Sequence, residues 1–196
     1  MFRKLILLST VLALLACTAS PQPQHYLLQQ PRFDALSEQP STQAKIVIGQ
    51  IDIAPFLSGS GLVTMTSVNQ LHQAYYHRWA ESLHSQLQRQ LRAGMQQQLP
   101  ALDWLSLAGS AHLRNLDYRM DVVVDEFHLS LDNQALVSGQ WQLRSHQHGY
   151  VAHGQFSQQQ PLQGDGYSAM IASLEQAWQR AHAEIAQDLA RALAAQ

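Results

Sequence analysis

The sequence predicts an α+β fold: one domain in which two long helices pack on one face of a mainly antiparallel sheet. Three observations carry this. Short segments from about residue 25 to residue 160 either alternate apolar and polar residues or run β-branched. Two other segments, one in mid-chain and one at the C-terminal end, repeat apolar residues at helical spacing. Short Gly-, Ser- and Asn-containing connections separate these elements, and no repeat of fixed period appears.

His25-Tyr26-Leu27-Leu28 reads as a short first strand inside a Pro-, Gln- and Ser-rich stretch, Thr18 to Gln43. The flanks of that patch lack the apolar surface that offsets ordering entropy, so they read as tether. Lys45 to Ile53 is β-branched and mostly apolar, as expected of a strand buried on both faces, and Pro55 ends it. Ser58-Gly59-Ser60-Gly61 is a loop, and Leu62–Thr66 and Gln70–Tyr76 are strands. Trp79, Leu83, Leu87, Leu91, Met95 and Leu99 then recur every four residues, a helix stripe that Pro100 stops. A strand from Leu102 to Ala108 follows.

Tyr118, Met120, Val122 and Val124 share one strand face, whereas Phe127, Leu129 and Leu131 fall on the other parity. Keeping the apolar face continuous requires a one-residue slip, a β-bulge near Asp125-Glu126. Asp132-Asn133 fits a tight turn into a return strand through Val137, Gly139, Trp141 and Leu143. Tyr150, Ala152, Gly154 and Phe156 alternate in another strand. The closing helix runs from about Gly166 to Ala195, with Met170, Ile171, Leu174, Trp178, Ala181, Ile185, Leu189 and Leu193 on its stripe and Asp165 at its cap.

The first residues have a separate purpose. Met1-Phe2-Arg3-Lys4 is a basic start, and Leu5 to Ala16 is apolar apart from Ser9 and Thr10. That run is too short for the roughly twenty residues a membrane-spanning helix needs, so residues 1–16 read as a cleaved secretion signal. Its end, Leu14-Leu15-Ala16-Cys17, resembles a bacterial lipobox, which implies cleavage before Cys17 and lipid on its Sγ and its new amine. Cys17 is the only cysteine, so no intramolecular disulfide explains it. Two or three acyl chains hold stably where one holds weakly. Thr18 is not the Asp associated with inner-membrane retention in enteric bacteria, so the expected location is the periplasmic face of the outer membrane. A tether of about 3.3 Å per residue from Thr18 to Gln43 would let the domain, residues 44–196, stand tens of ångströms off the bilayer.

Removing Arg3 and Lys4 leaves 10 basic residues against 14 acidic ones, a net of −4, and no nucleic-acid footprint. Charged residues are 13% of the chain, and glutamine supplies much of the polar surface, so partners are met by shape and hydrogen bonding. A search for chemistry returns nothing. His146, His148 and His153 lack metal-ligand spacing, and His72, His77 and His84 have no Cys to join; they read as surface histidines. Ser58–Gly61 lacks the strand-to-helix context of a nucleophile elbow. Asp121, Asp125 and Glu126 read as solvent-facing carboxylates. No cofactor beyond the Cys17 lipid, no metal and no catalysis are expected.

With the elements placed, one stretch resembles a known family. Ile48-Gly49-Gln50-Ile51-Asp52-Ile53-Ala54-Pro55-Phe56-Leu57, Val63-Thr64-Met65-Thr66, Asn69-Gln70-Leu71 and Tyr76-His77-Arg78-Trp79-Ala80-Glu81 are similar to the PqiC type of ABC-transport auxiliary lipoprotein. Tyr118 to Val124 with Phe127, and the closing helix, agree with it. Met65 departs, standing where the family often has Arg, and Ala54 is an extra residue before Pro55. The resemblance implies an accessory subunit of a system that moves lipids or other hydrophobic molecules between membranes and supports envelope integrity. It implies as partners an inner-membrane component and a periplasm-spanning protein with mammalian-cell-entry domains. Asn69, Tyr76, His77, Arg78 and Trp79 are the candidate partner interface. For Trp79 the alternative is core packing, and for Arg78 a solvated or intradomain ion pair, for example with Glu81 three residues on. A small domain serving a ring-shaped partner is expected to close into a symmetric homo-oligomer. The competing readings are a metal-binding or enzymatic periplasmic lipoprotein, and an outer-membrane assembly lipoprotein with a different partner.

Overall fold

The computed structural model describes residues 21–41, 43–105, 116–145 and 149–195. Among them the chain forms strands β1 (Gln24–Tyr26), β2 (Lys45–Ile53), β3 (Gly61–Ser67) and β4 (Gln70–Trp79), then helix α1 (Leu83–Gln98). Strands β5 (Asp103–Leu105), β6 (Tyr118–Leu129), β7 (Gln134–Ser145) and β8 (Gly149–Pro161) follow, and helix α2 (Gly166–Ala194) closes the domain. The signal, Cys17, His146, His148 and the end of the strand expected over Leu102–Ala108 lie outside the described residues.

All eight strands join one sheet. β6 is its spine: β7 covers one edge along the whole strand, and the other edge is shared by β2 and, at Leu129, by Thr64 of β3. The α+β architecture with both helices on the sheet is as the sequence predicts, but the sheet is mixed, with four of the seven pairings parallel. The long antiparallel β6–β7–β8 meander is the part that tight turns announce. The parallel pairs are crossover pairs, whose partners are remote in sequence and leave no local mark.

The β6 bulge falls where the parity change requires it: Val124 pairs with Gly139 and Glu126 with Ser138, leaving Asp125 unpaired. Phe127 therefore returns to the helix face, edge-on to the fully buried Trp178 at 6.5 Å. A second slip, between Ile48 and Ile51 of β2, keeps both isoleucines inside and turns Gln50 out, so only the first half of β2 is buried on both faces. Across β7 and β8, Gly139 faces Phe156 and Trp141 faces Gly154, large against small. A Cβ on Gly139 would stand 2.1 Å from the Val123 carbonyl oxygen and 2.7 Å from the Phe156 ring. α2 lies over β6, β7 and β8, α1 over β2 and β5, and the two helices touch.

Trp79 ends β4 instead of opening the helix. α1 starts after Ser82, whose hydroxyl accepts from the Ser85 amide at 3.3 Å, and it ends at Gln98 before Pro100. Asp165 occupies the N-cap position of α2 but makes no capping hydrogen bond; it serves the helix only as an acidic group near the positive dipole end.

The largest departure concerns the expected tether. From Leu28 to Gln39 the chain is a strap bound to α1 by glutamine side chains. Gln86 accepts from the Leu28 amide at 2.7 Å, Gln90 donates to the Gln29 carbonyl at 2.7 Å, and Gln97 accepts from the Phe33 amide at 2.8 Å. Gln39 donates to the Leu36 and Gln98 carbonyls, each at 2.8 Å. Gln86, Gln90 and Gln98 are buried and share a flank of α1 beside its leucine stripe. An extended segment with few apolar residues is thus ordered by backbone hydrogen bonds, which burial would otherwise leave unpaired. The Gln29 amide reaches across to Glu175 of α2 at 2.5 Å; burial raises that carboxyl's pKa, opposed by this bond.

Beneath the strap lies His182, fully buried on α2 between Trp178 (4.5 Å), Phe33 (5.6 Å) and the α-carbon of Gly94 on α1. Neither ring nitrogen has a partner among the described residues, and burial lowers its pKa to about 3.

Candidate functional site

The five residues expected at a partner interface lie on β4 and the turn before it, and the structure separates them. Ten residues of strand cover roughly 30 Å, so Asn69 at one end and Trp79 at the other belong to no common patch. Trp79 is core, 5% exposed and tilted against Phe127 at 6.2 Å. His77 is used within the domain. Its Nδ1 meets the Tyr26 hydroxyl at 2.9 Å and its ring stacks on Tyr167 at 3.9 Å, a clasp joining β1, β4 and the start of α2.

Arg78 is exposed, and its Nε and Nη2 both donate to the Ser60 hydroxyl, at 3.0 and 2.6 Å. The ion pair with Glu81, one alternative for Arg78, does not form. Glu81 sits in the short connection to α1 and is taken by Arg89, which holds its carboxyl below the usual carboxylate range. Ser60, in a segment that the sequence shows only as a loop, is therefore the residue that positions Arg78.

Asn69 and Tyr76 are exposed. Tyr76 stands out because β4 is irregular: Gly61 pairs with Arg78 but Val63 pairs with Gln73, so the stretch from Ala74 to His77 bulges. Bulges re-aim side chains, and this one turns out Tyr75 at 75% and Tyr76 at 39% exposure, their rings edge-on at 4.9 Å. Val68 in the turn is 77% exposed and Leu71 44%. Tyr75, Val68 and Leu71 were missed by sequence reasoning; the available signal was that Ile53 to His77 carries no Asp, Glu, Lys or Arg. Among the described residues, β1 covers the outer edge of β4 only from His77 to Trp79, and no other strand pairs with that edge from Gln70 to Tyr76.

The remaining candidates are dispersed. Asp121 accepts from Arg119 at 2.7 Å, Glu126 accepts from Ser138 at 2.7 Å, and Asp125 is exposed in its bulge. These carboxylates do not converge. His72 and His153 are exposed as expected, but His128 and His182 are buried, and His128 Nε2 lies 3.7 Å from Glu126 under the Phe56 ring. Among the described residues no three His, Cys, Asp or Glu side chains gather to hold a metal, and no helix is long and apolar enough to cross a membrane.

A projecting hairpin whose one charged residue is Arg78, with an open strand edge, suits contact better than chemistry. Residues 26–186 match the family described as the ABC-type transport auxiliary lipoprotein component. The chain belongs to this family. The match begins at Tyr26, so the strap is part of the auxiliary-lipoprotein domain and not a leader to it. The intermembrane transport lipoproteins PqiC of Escherichia coli and Shigella flexneri are each 32% identical to this auxiliary lipoprotein over 144 residues, 74% of either chain. A crystal structure of an uncharacterized protein, 28% identical, superposes with a TM-score of 0.71 over 86% of this chain and 99% of its own. A Xanthomonas campestris protein at 15% identity shares the fold, with a TM-score of 0.74 over 86% and 96% of the two chains. This is a PqiC-type transport auxiliary lipoprotein, in a family described by its part in transport and not by an enzymatic activity.

Proposed function

We propose that this protein is the outer-membrane accessory subunit of an intermembrane transport system. Lipidated Cys17 holds it on the periplasmic face, and it docks a periplasm-spanning protein with mammalian-cell-entry domains. The system moves lipids or other hydrophobic molecules and supports envelope integrity; the subunit works by binding, with no cofactor beyond its own lipid. The observation that carries this reading is the 32% identity to intermembrane transport lipoprotein PqiC across 74% of both chains. The lone cysteine at the end of a lipobox-like run supplies the anchor, and Thr18 after it favours the outer membrane.

The contact is assigned to two of the three exposed candidates, Tyr76 and Arg78, with Tyr75, beside the open outer edge of β4; Asn69, the third, lies in the turn at the far end of the strand. Aromatic and arginine side chains are the usual anchors of such contacts, and an unpaired strand edge offers backbone hydrogen bonds to a partner. Copies of the domain form a ring around the partner, because a closed symmetric set presents the same edge to each repeat of a ring-shaped protein.

Arg78→Ala and Tyr76→Ala should each weaken co-purification of the partner from detergent-solubilised envelopes, with the domain still folded. Ser60→Ala removes the intrachain bond but leaves the guanidinium, and should retain the partner. Unchanged recovery in all three variants would contradict the assignment. Native mass spectrometry of the lipidated protein should show a closed oligomer; monomer alone would contradict the ring.

A further inference from the structure

The side chains that water ought to have selected against are gathered at one end of the domain. Of the seven large hydrophobic residues exposed among the described residues, Val68, Leu71, Tyr75, Tyr76, Phe56 and Leu131 sit on the β3–β4 hairpin or at the same end of the sheet, and Leu27 does not. β3 runs parallel to β6 at Thr64–Leu129, so Leu131, two residues past Leu129, comes level with Thr66 at the same end of the sheet. Phe56, in the turn after β2, covers His128 at the same end.

The position of this end relative to the anchor follows from strand register. β1 is parallel to the last residues of β4, with Gln24 opposite His77. The chain from Cys17 therefore enters the sheet from the side toward which the hairpin projects. Pro23 restricts Gln22 before it to extended backbone. Six residues, Thr18 to Pro23, reach at most roughly 20 Å, so a lipid on Cys17 holds this end of the sheet close to the bilayer.

Charge agrees. Ile53 to His77 has no Asp, Glu, Lys or Arg side chain to desolvate, and Arg78, opposite Gly61 and so away from the Ser67–Gln70 end of the hairpin, is bound to Ser60. A contact made here rests on apolar burial and not on attraction to anionic headgroups.

We propose that the β3–β4 hairpin tip is a second membrane contact: Val68 and Leu71, with Leu131 beside them, enter the headgroup boundary of the leaflet that holds the Cys17 lipids. This rests on the anchoring proposed above. It makes the domain stand on the bilayer at two points, and it sets the β4 edge with Tyr75, Tyr76 and Arg78 upright at the membrane surface, facing sideways to a neighbouring protein.

The test uses the full lipidated chain in vesicles of phosphatidylethanolamine and phosphatidylcholine. A single added cysteine carries an environment-sensitive nitrobenzoxadiazole label: Val68→Cys, Leu71→Cys or, at the opposite end, Asp103→Cys. The Cys17 sulfur is occupied by lipid and takes no label. The labels at 68 and 71 should shift to the blue and lose intensity when spin-labelled lipid is added, unchanged by salt or by phosphatidylglycerol, while the label at 103 should do neither. If the protein floats with the vesicles but the labels at 68 and 71 behave like that at 103, the hairpin meets protein or water and the proposal is overturned, with the anchor intact. If the lipidated chain fails to float, the anchoring and the membrane contact fall together.

Discussion

Lowering the pH from 7.5 to 5 should cost the folded domain about 2 kcal/mol through one side chain, His182. Burial takes its pKa down to about 3, and neither ring nitrogen has a partner among the described residues. The folded state therefore keeps the ring neutral, while the unfolded chain takes up a proton below about 6.5. The stability is fully present above that value and is lost as pH falls toward about 3, at about 1.4 kcal/mol per unit. One and a half units give about 2 kcal/mol at pH 5. Glu175 acts in the opposite sense, since its raised pKa favours the folded state at low pH, so the comparison must isolate His182. His182→Leu does this, since leucine is close in volume and leaves no nitrogen unpaired. Urea denaturation of the non-lipidated Cys17→Ser chain, with and without His182→Leu, should give pH profiles that diverge below pH 6.5. The leucine variant should also be no less stable at pH 7.5, because a buried unpaired polar group costs about 1–3 kcal/mol. Parallel profiles would refute the reasoning, for they would mean the ring is protonated or solvated in the fold.

Gly139→Ala should lower the thermal midpoint by on the order of 5–10 °C, because its Cβ meets the Val123 carbonyl at 2.1 Å, a backbone atom with nowhere to retreat. Gln86→Leu leaves the buried Leu28 amide without its acceptor, a loss of about 1–3 kcal/mol. Amide exchange at Phe33 and Leu36 should then accelerate roughly tenfold or more, with the β6–β7 amides unchanged if the strap opens locally. Cys17→Ser should yield a folded domain in the soluble periplasmic fraction that no longer supports transport; full complementation by it would show the anchor to be dispensable.

Local pattern carried most of the sheet and both helices. The parity change between Val124 and Phe127 announced a bulge, because a buried face tolerates no break, and the four-residue spacing of Leu83, Leu87, Leu91 and Met95 announced α1. Pairings between remote segments were not legible: β1 against β4, β2 against β6 and the tip of β3 against β6 depend on crossovers that no short window contains. The strap was misread for a related reason. Its own residues are poor in apolar surface, and what orders them is a second file of side chains, Gln86, Gln90 and Gln97–Gln98, one flank away from the leucines. Gly94 on that flank leaves the space that Phe33 and His182 fill.

The candidate site was legible as a stretch and not as a set of roles. Two of its five residues, His77 and Trp79, are held by Tyr26, Tyr167 and Phe127, partners that folding brings from other elements. The slip in β4 that turns Tyr75 and Tyr76 outward is set by pairing with β3, so alternation along β4 alone did not reveal it.

Photocrosslinking in living cells from position 76, in the otherwise native lipidated chain, tests the central assignment most directly. Mass spectrometry of the adduct should identify a periplasm-spanning protein with mammalian-cell-entry domains, and the adduct should disappear when Cys17 is replaced by Ser. An adduct only to unrelated envelope proteins, or one that persists unchanged without the anchor, would contradict the account.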